Sequence, residues 1–391
     1  MLSSNLSREE WMLIAILFVA EFARGAFFLS FLPIYAVKHL GLSITVSGFA
    51  VSAHYFTETA SKTAAGWYFD RTGRPVLLIG LLASLASLIS MKLYPLPVVL
   101  VVASAVFGLG ISPVWLGVMS EVAPVEMPGR AKRIGLVFAA WLTGSGTGLV
   151  AVNFILSAGF EPAFSLIIIL WLVAVVLTVL ILSPSHHHIK QTREGILHSI
   201  SRLSTNPAVV RILIPGMFLQ TFCAGLLLPV LPLFAQNQLG LSYNQYGMLL
   251  LAGGGAAVLG LLPMSMVVDR LTLNSLLACG FALSSLCLGL FTASHSPYSA
   301  FPLAILLGLS YSVILPAWNT LLARVIPPER QATGWGVFAT VEGLGAAIGP
   351  AVGSMVAHNA GLTAPIMLAT VVLLSVALFY TFYPLEKFLV K

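Results

Sequence analysis

Charge is what this chain has least of. Asp, Glu, Lys and Arg together make up 8% of the 391 residues, against roughly 25% in an ordinary soluble domain. Hydrophobic residues make up 58%, and the mean hydropathy is +0.98. This composition excludes a soluble globular protein and a disordered chain, and it predicts a protein whose surroundings are mostly lipid.

Cysteines and enzyme motifs are also scarce. The three cysteines, Cys223, Cys279 and Cys287, lie in apolar runs without CxxC spacing, so we expect neither a disulfide framework nor a metal site. HExxH, GxSxG and P-loop patterns do not occur. The glycine strings at 144–148 and 343–353 have small residues about four apart, which indicates close helix packing rather than nucleotide binding. We expect a protein that is not an enzyme and has no cofactor.

Long apolar runs are what the chain has in abundance. A helix crosses a bilayer with about 20 apolar residues, and runs of that length predict an all-α membrane protein with twelve spans. The predicted spans are 11–37, 43–69, 76–94, 96–120, 133–157, 162–182, 208–236, 243–267, 273–293, 298–324, 333–357 and 362–383. The first is not expected to be a signal peptide, because Glu9 and Glu10 stand where basic residues should be and no cleavage site follows.

The basic residues predict the orientation. With both termini cytoplasmic, the inner segments hold fifteen Lys or Arg residues and the outer segments hold two, Lys38 and Lys92, as the positive-inside rule requires. The pI of 9.3 implies no nucleic-acid partner, because the basic residues are spread over many short loops. We expect a monomer in the cytoplasmic membrane, in contact with membrane lipids.

An internal repeat relates the two halves of the chain. FLPIYAVKHLGLS at 31–43 matches VLPLFAQNQLGLS at 230–242, an offset of 199 residues. We therefore predict an N-terminal six-helix bundle over 1–183, a cytoplasmic linker over 184–207 and a C-terminal six-helix bundle over 208–391.

The predicted linker is polar and basic, and it could form a short amphipathic helix on the inner leaflet. Its three histidines, His186 to His188, could bind a metal. A solvated loop is the simpler interpretation, because nothing nearby supplies a fixed coordination geometry.

Two parallel six-helix halves resemble the major facilitator superfamily, in which one half rocks against the other around a central site. GWYFDRTGRP at 66–75 resembles that superfamily's cytoplasmic loop motif. The residues expected to act as a conformational latch are Gly66, Asp70, Arg71, Gly73 and Arg74, with a partial copy at Asp269 and Arg270. We expect Asp70 to pair with Arg71, Arg74 or a helix terminus; the alternative is a plain basic turn.

Ionisable residues at membrane depth are few, and such residues mark a substrate or proton pathway by default. They are Glu21, Arg24, His54, Glu58, Lys62 and Glu342. Glu21 and Arg24 are three residues apart on the first span, whereas His54, Glu58 and Lys62 are four apart on the second, so each set shares a helix face. At 1.5 Å per residue, Glu21 and Glu58 lie at similar depths.

This cluster admits two interpretations. It could be a structural salt bridge through Arg24, or a site where a proton binds and leaves, since the acidic and titratable groups exceed what one arginine neutralises. Shifted by 199 residues, Glu21, Arg24, His54 and Glu58 become Gln220, Cys223, Gly253 and Ala257. Because the charges occur in one half only, we expect a cavity with a polar N-terminal wall and an apolar C-terminal wall, which suits an amphiphilic lipid.

Two tryptophans near prolines could add aromatic surface for a sugar ring or a flat cation. Trp115 is the primary candidate, and ordinary packing is the alternative for both. The secondary candidate residues are Lys62, Trp318, Asn319 and Glu342.

Several segments resemble the proton-coupled glycolipid flippases of lipoteichoic acid synthesis in Gram-positive bacteria. They are EFARG with LS shortly after (21–30), SAHYFTETAS (52–61), SPVW (112–115), LPAWNTLLAR (315–324) and GWGVF followed by GLGAAIGP (334–350). The resemblance implies a diglucosyl-diacylglycerol substrate, with its headgroup in the N-terminal half and its tails in an apolar C-terminal pocket. It also implies headgroup and proton-coupling roles for Glu21, Arg24 and Trp115. Glu58 stands where that family is expected to have an aspartate, and Glu342 where it is expected to have a neutral amide.

Sequence alone leaves two other functions open. A drug-proton antiporter shares the fold, the loop motif and often an acidic residue in the first span. A receptor or scaffold without transport activity is disfavoured by the paired halves and the buried titratable groups. In the leading hypothesis the partners are an amphiphilic lipid and protons, and the proton gradient drives transport of the lipid.

Overall fold

The computed structural model describes residues 6–124, 129–182, 213–268, 271–325 and 331–383, and all regular structure within these ranges is helical. The predicted linker with its three histidines, and the partial latch copy at Asp269 and Arg270, lie outside the described residues. The helices confirm the predicted all-α fold class.

Twelve helical elements follow one another in the described part of the chain. Those of the first half are α1 (Arg8–His39), α2 (Ile44–Thr72), α3 (Pro75–Leu93), α4 (Pro97–Val122), α5 (Arg130–Leu156) and α6 (Phe160–Leu180). Those of the second half are α7 (Ile214–Leu227, continued by Leu231–Asn237 at an angle of 41°), α8 (Tyr243–Val268), α9 (Leu273–Thr292), α10 (Pro297–Val325), α11 (Gln331–Ala360) and α12 (Thr363–Phe382).

Most of these helices can cross a membrane. Among the described residues, nine are long and apolar enough, or ten if the bent α7 is counted as one span. α2 and α8 are not among them. In α2, His54, Glu58 and several hydroxyl side chains lower the hydropathy of the middle part. Residues of the candidate site thus make α2 less apolar than a typical membrane helix.

Local sequence explains how the helices begin and end. Ser7 caps α1: its Oγ accepts from the Glu10 backbone N–H, and the Glu10 carboxylate accepts from the Ser7 N–H at 2.7 Å, which together form a capping box. Proline stands in the first turn of α3 and α4, where its missing N–H costs nothing. Gly73 ends α2 at a φ of +70°, in the left-handed region that favours glycine.

The chain divides into two compact units, Met1–Lys190 and Gln191–Lys391. In the first unit α1 packs on α5 and α6, α2 packs on α4, and α3 packs on α4 and α6. In the second unit the corresponding helices, six elements later, make the same five pairings. The repeat seen in the sequence is therefore a repeat of helix packing.

Glycines at two helix crossings define the register of this repeat. In the first unit, Gly144 and Gly148 of α5 leave room for the carbonyl oxygens of Phe18 and Phe22 on α1. In the second, the same arrangement recurs on α11 and α7. The equivalent contacts there join Gly345 to Phe218 and Gly349 to Phe222. Phe18 and Phe22 of α1 therefore match Phe218 and Phe222 of α7 at an offset of 200 residues, not 199.

A π-helical stretch in α1 accounts for this shift. Residues Phe27–Phe31 form a π-helix, and the chain between Gly25 and Pro33 is one residue longer than the chain between Gly225 and Pro232. A single π-turn accommodates one extra residue without ending a helix. The predicted counterparts of Glu21 and Arg24 are thus wrong by one position.

The corrected counterparts follow from the same contacts. Glu21 corresponds to Thr221 and Arg24 to Ala224. On α2 the offset of 199 holds, because Gly108 approaches the carbonyl of His54 as Gly308 approaches that of Gly253. The charged residues of the first unit therefore still have uncharged counterparts in the second.

Candidate functional site

The predicted charged residues of α1 and α2 come together in one cluster. The Arg24 guanidinium donates to Glu21 Oε2 from Nη2 at 2.6 Å and from Nε at 2.9 Å, and its Nη1 donates to Glu58 Oε2 at 3.4 Å. Lys62 Nζ lies 3.3 Å from Glu58 Oε1. Glu21 and Arg24 are buried, at 4% and 7% exposure, whereas the Lys62 side chain is 37% exposed. The cluster thus runs from a closed end at Glu21 to an open end at Lys62.

Lys62 changes the charge balance predicted for this cluster. The prediction of surplus acid counted Arg24 as the cation, but the structure adds Lys62, so two carboxylates, Glu21 and Glu58, face two cations. With both carboxylates ionised the cluster is neutral. Any proton that binds a carboxylate leaves a net positive charge, which is costly in a low-dielectric interior.

His54 is sealed by aromatic rings beside this cluster. Its side chain has no exposure, and its ring stacks on Phe28 with centroids 4.0 Å apart and planes 9° apart. Phe107 covers another side at 5.5 Å. Within the described part of the chain neither ring nitrogen makes a hydrogen bond, and Nε2 lies 3.6 Å from Glu58 Oε2. The His54 ring is therefore enclosed by Phe28 and Phe107, with the Glu58 carboxylate near its Nε2 atom.

Further aromatic residues lie beside the charged cluster and around the predicted Trp115. The Tyr55 ring lies 5.8 Å from the Arg24 guanidinium carbon, and Trp115 contacts Phe138, which contacts Trp141, at centroid distances of 5.7 and 6.4 Å. Trp115 and Trp141 are half-buried. Tyr55 could have been found from its position next to His54, but the pairing of α4 with α5 around Phe138 had no sequence signal.

The second unit contains an apolar cavity of about 380 Å³, within the range of small-molecule sites. Its walls come from α7, α8, α9, α10 and α12, and most of its lining side chains are Leu, Phe, Ala or Gly. Among the described residues, its few polar lining groups are Gln220, Tyr246, Ser284 and Tyr311.

The cavity occupies the position that the charged cluster occupies in the first unit. Ala224, Gly253 and Ala257, the counterparts of Arg24, His54 and Glu58, all line it. Thr221, the counterpart of Glu21, instead donates its hydroxyl to the Met217 carbonyl on its own helix. Small residues at these positions leave open space where the first unit places charge.

The secondary candidates fall in different places. Trp318 is 3% exposed and packs against Phe281 and Tyr380 at 6.5 and 5.9 Å between centroids, so it is a core residue, the packing role left open by the sequence. Asn319 is exposed on α10, and Glu342 is exposed on α11.

The latch motif is built around Arg74. Its guanidinium binds Glu121 Oε2 at 2.7 Å, Glu9 Oε2 at 2.8 Å and the carbonyl of Ile181 at 2.7 Å. Burial acts to lower the pKa of Arg74, but the hydrogen bonds that its guanidinium donates to the carboxylates of Glu121 and Glu9 outweigh burial and raise that pKa, so the residue stays charged. Arg74 therefore ties the start of α1 to the ends of α4 and α6.

The other latch residues differ from expectation. Arg71 stacks on Trp67, 3.7 Å from the ring centroid, and Gly66 lies against Leu116 of α4. Among the described residues Asp70 forms no ion pair with Arg71 or Arg74, whose guanidinium groups contact Trp67 and the carboxylates of Glu9 and Glu121. The third predicted partner of Asp70, a helix terminus, stays a prediction.

The acidic start of α1 holds a second arginine. Arg133 of α5 binds Glu10 and donates to the Val122 carbonyl at 3.0 Å. Glu9 thus binds Arg74 just before α3, and Glu10 binds Arg133 on α5. These two contacts had no sequence signal, because a pair of adjacent carboxylates does not reveal which distant residues it binds.

Comparison with known proteins finds relatives whose sequences align with nearly the whole chain. A curated protein of Staphylococcus saprophyticus named proton-coupled antiporter flippase LtaA is 29% identical over 391 residues, which is 97% of this chain and 95% of that protein. A Staphylococcus aureus protein of the same name is 26% identical over 382 residues, covering 95% and 94% of the two chains.

A solved structure shows the same fold, and a family model matches both halves of the chain. The crystal structure of the nucleoside transporter NupG superposes with a TM-score of 0.77 at 13% identity, covering 96% of this chain and all of that one, which shows a shared fold. The model of the Major Facilitator Superfamily matches residues 13–224 and 213–389. Because these matches span both units, the chain belongs to the Major Facilitator Superfamily.

Proposed function

We propose that this protein is a proton-coupled antiporter that flips a glycolipid across the cytoplasmic membrane. The observation that carries the proposal is the contrast between the charged cluster of the first unit and the apolar cavity at the corresponding place in the second. The names of the relatives support proton coupling and flipping, and the sequence resemblance supports diglucosyl-diacylglycerol, the lipoteichoic acid anchor, as the lipid.

The first unit would hold the sugar headgroup. Sugar hydroxyls donate hydrogen bonds to carboxylates and accept them from arginine and lysine, and sugar rings stack on aromatic faces. Glu21, Arg24 and Glu58 supply the polar groups, and Trp115 and Trp141 supply half-buried aromatic surface.

Proton exchange follows from competition for the same carboxylates. An ionised Glu58 accepts hydrogen bonds, whereas a protonated one has lost part of that capacity and no longer attracts Arg24 or Lys62. A headgroup hydroxyl and a proton therefore oppose each other at this residue, which is the relation an antiporter needs. His54 lies next to Glu58 and would pass or hold the proton.

The second unit would receive the acyl chains. Its cavity is lined by residues that offer dispersion contacts and almost no hydrogen bonds, so transfer of hydrocarbon into it is favourable and a sugar is disfavoured there. With both termini cytoplasmic, as the basic residues predict, the Arg74 network lies on the inner side and would act as the conformational latch.

The proposal is tested by flipping of fluorescent diglucosyl-diacylglycerol in proteoliposomes under an imposed pH gradient. We expect Glu21→Gln and Arg24→Ala to lose transport by at least 100-fold, because the first leaves Arg24 with Glu58 as its one carboxylate partner and the second leaves the buried Glu21 carboxylate without its cation. Glu161→Gln, which changes an exposed carboxylate paired with Lys92 elsewhere, serves as the matched control and is expected to transport normally.

Two results would reject the assignment. Full transport by both Glu21→Gln and Arg24→Ala would mean that the cluster is a structural salt bridge without a role in transport. Gradient-driven efflux of lipophilic cations by the wild type, without any glycolipid flipping, would instead identify a drug-proton antiporter.

A further inference from the structure

Three consecutive glycines, Gly253 to Gly255, stand in the middle of α8. Glycine is less favourable than alanine inside a helix, because its backbone loses more conformational freedom on folding. None of the three has the positive φ that favours glycine. A glycine run inside a helix is therefore expected to serve close packing or a ligand.

The three glycines differ in what a side chain at each position would meet. A Cβ at Gly253 would lie 3.0 Å from the Ala304 carbonyl oxygen on α10, so close helix packing requires that glycine. A Cβ at Gly254 or Gly255 would have no heavy atom of another described helix within 4 Å. Gly254 lines the apolar cavity, whereas Gly255 is not among its lining residues. Packing thus explains Gly253, and the open space at Gly254 belongs to the cavity.

The first unit fills the equivalent place with an aromatic ring. On α2 the offset of 199 residues makes Tyr55 the counterpart of Gly254. The Tyr55 ring lies 5.8 Å from the guanidinium carbon of Arg24, whose own counterpart, Ala224, also lines the cavity. Gly254 is exposed as well as cavity-lining, so it stands at the cavity rim. The second unit therefore has no side chain at the rim position where the first unit has a tyrosine.

The volume of the cavity indicates how much of a lipid it can hold. A water molecule occupies about 30 Å³ of the liquid, and a methylene group is of similar size. At that size the cavity of about 380 Å³ accommodates about a dozen methylene groups. This is most of one acyl chain and too little for two.

We propose that the cavity takes up a single acyl chain of the lipid and that Gly254 is the residue that admits this chain. The inference rests on the proposed function, since the ligand is the acyl part of the same glycolipid. A chain that lies against Gly254 contacts the backbone of α8, and a larger residue there occupies volume that the chain needs. Gly254 is thus a specificity-determining residue for the apolar part of the substrate.

The test measures binding of diglucosyl-diacylglycerol to the purified full-length protein in detergent by isothermal titration calorimetry. A leucine at position 254 adds about four methylene-sized groups, and the loss of about two buried methylenes from the ligand weakens binding about tenfold. We therefore expect the dissociation constant of Gly254→Leu to rise about tenfold. Gly255→Leu is the matched control in the same glycine run, and it is expected to bind like the wild type.

A second measurement tests the number of acyl chains in the cavity. The wild type is expected to bind diglucosyl-monoacylglycerol, which has one chain, nearly as tightly as the two-chain lipid. Gly254→Leu should weaken binding of both lipids by the same factor, because the same chain is displaced in each. A wild type that binds the one-chain lipid much more weakly would overturn single-chain uptake.

The outcomes separate this inference from the function on which it rests. A wild type that binds neither glycolipid overturns the proposed function. Tight wild-type binding that is unchanged in Gly254→Leu, or equally weakened in Gly255→Leu, overturns the role of Gly254 alone. If Gly254→Leu cannot be purified, Gly254→Val replaces it, with a smaller rise of the dissociation constant expected and an unchanged constant as the contradicting result.

Discussion

The two units of this protein use the same helix packing for opposite chemistry. Where α1 and α2 place Arg24, His54 and Glu58, α7 and α8 place alanine and glycine. The first set forms buried ion pairs, whereas the second set opens an apolar cavity. Duplication thus preserved the backbone framework while side chains at equivalent positions diverged, and a substrate with one polar and one apolar end matches that divergence.

The largest effect is expected from moving charge into the apolar unit. Ala257→Glu would place a carboxylate in the cavity at the position equivalent to Glu58. Burial of an unpaired charge there is strongly unfavourable, so we expect glycolipid affinity to fall by more than 100-fold in a binding titration. Ala257→Gln has the same shape without the charge and should lose much less. Equal affinities for both variants and the wild type would contradict an acyl-chain role for the cavity.

Removing the extra residue of α1 should also disrupt the charged site. Deletion of Leu29 from the π-helical stretch would rotate Glu21 and Arg24 by about 100° relative to the outer part of α1. We expect at least a tenfold loss of glycolipid transport in proteoliposomes. Leu29→Ala keeps the register and should transport nearly as well as the wild type. Normal transport by the deletion variant would show that the register of α1 does not matter.

The Arg74 network should respond according to the burial of its partners. The Glu121 side chain is 13% exposed and that of Glu9 is 57% exposed. Glu121→Gln should therefore lower the free energy of unfolding by about 1–3 kcal/mol, and Glu9→Gln by less than about 1 kcal/mol. Thermal unfolding in detergent measures both. A larger loss for Glu9→Gln would mean that the start of α1 is held differently.

The smallest effect is expected at Trp318. Its indole N–H makes no hydrogen bond within the described residues, so Trp318→Phe removes packing area only, and the melting temperature should fall by a few degrees at most. Transport should remain at the wild-type rate, whereas Trp115→Phe should weaken glycolipid binding. Comparable transport defects in both variants would show that Trp318 also contacts substrate.

Much of the fold could be predicted from the sequence, because hydropathy alone identifies membrane helices. Part of the candidate site could be predicted as well. Spacings of three and four residues placed Glu21 with Arg24 and Glu58 with Lys62 on shared helix faces, and both pairs are in contact. These are short-range features, which helix geometry fixes.

The remaining features depend on contacts between distant parts of the chain. The extra residue in the π-helical stretch of α1 changes the offset between Arg24 and its counterpart from 199 to 200 residues. The glycine contacts between α5 and α1 show this change, which the sequence repeat alone did not. The partners of Arg74 and Arg133, and the burial of Trp318, likewise follow from how helices pack. A residue's type indicates what it can bind, but the tertiary packing selects the partner.

In the proposed function the headgroup binds the first unit and the acyl chains bind the second, and photo-crosslinking locates each part of the lipid. Two diglucosyl-diacylglycerol probes, one with the photoreactive group on the sugar and one with it at the end of an acyl chain, are bound to the full-length protein, and labelled peptides are identified by mass spectrometry. We expect the sugar probe to label mainly α1, α2, α4 and α5, and the acyl probe to label α7, α8 and α10. Labelling of the same unit by both probes would contradict this prediction.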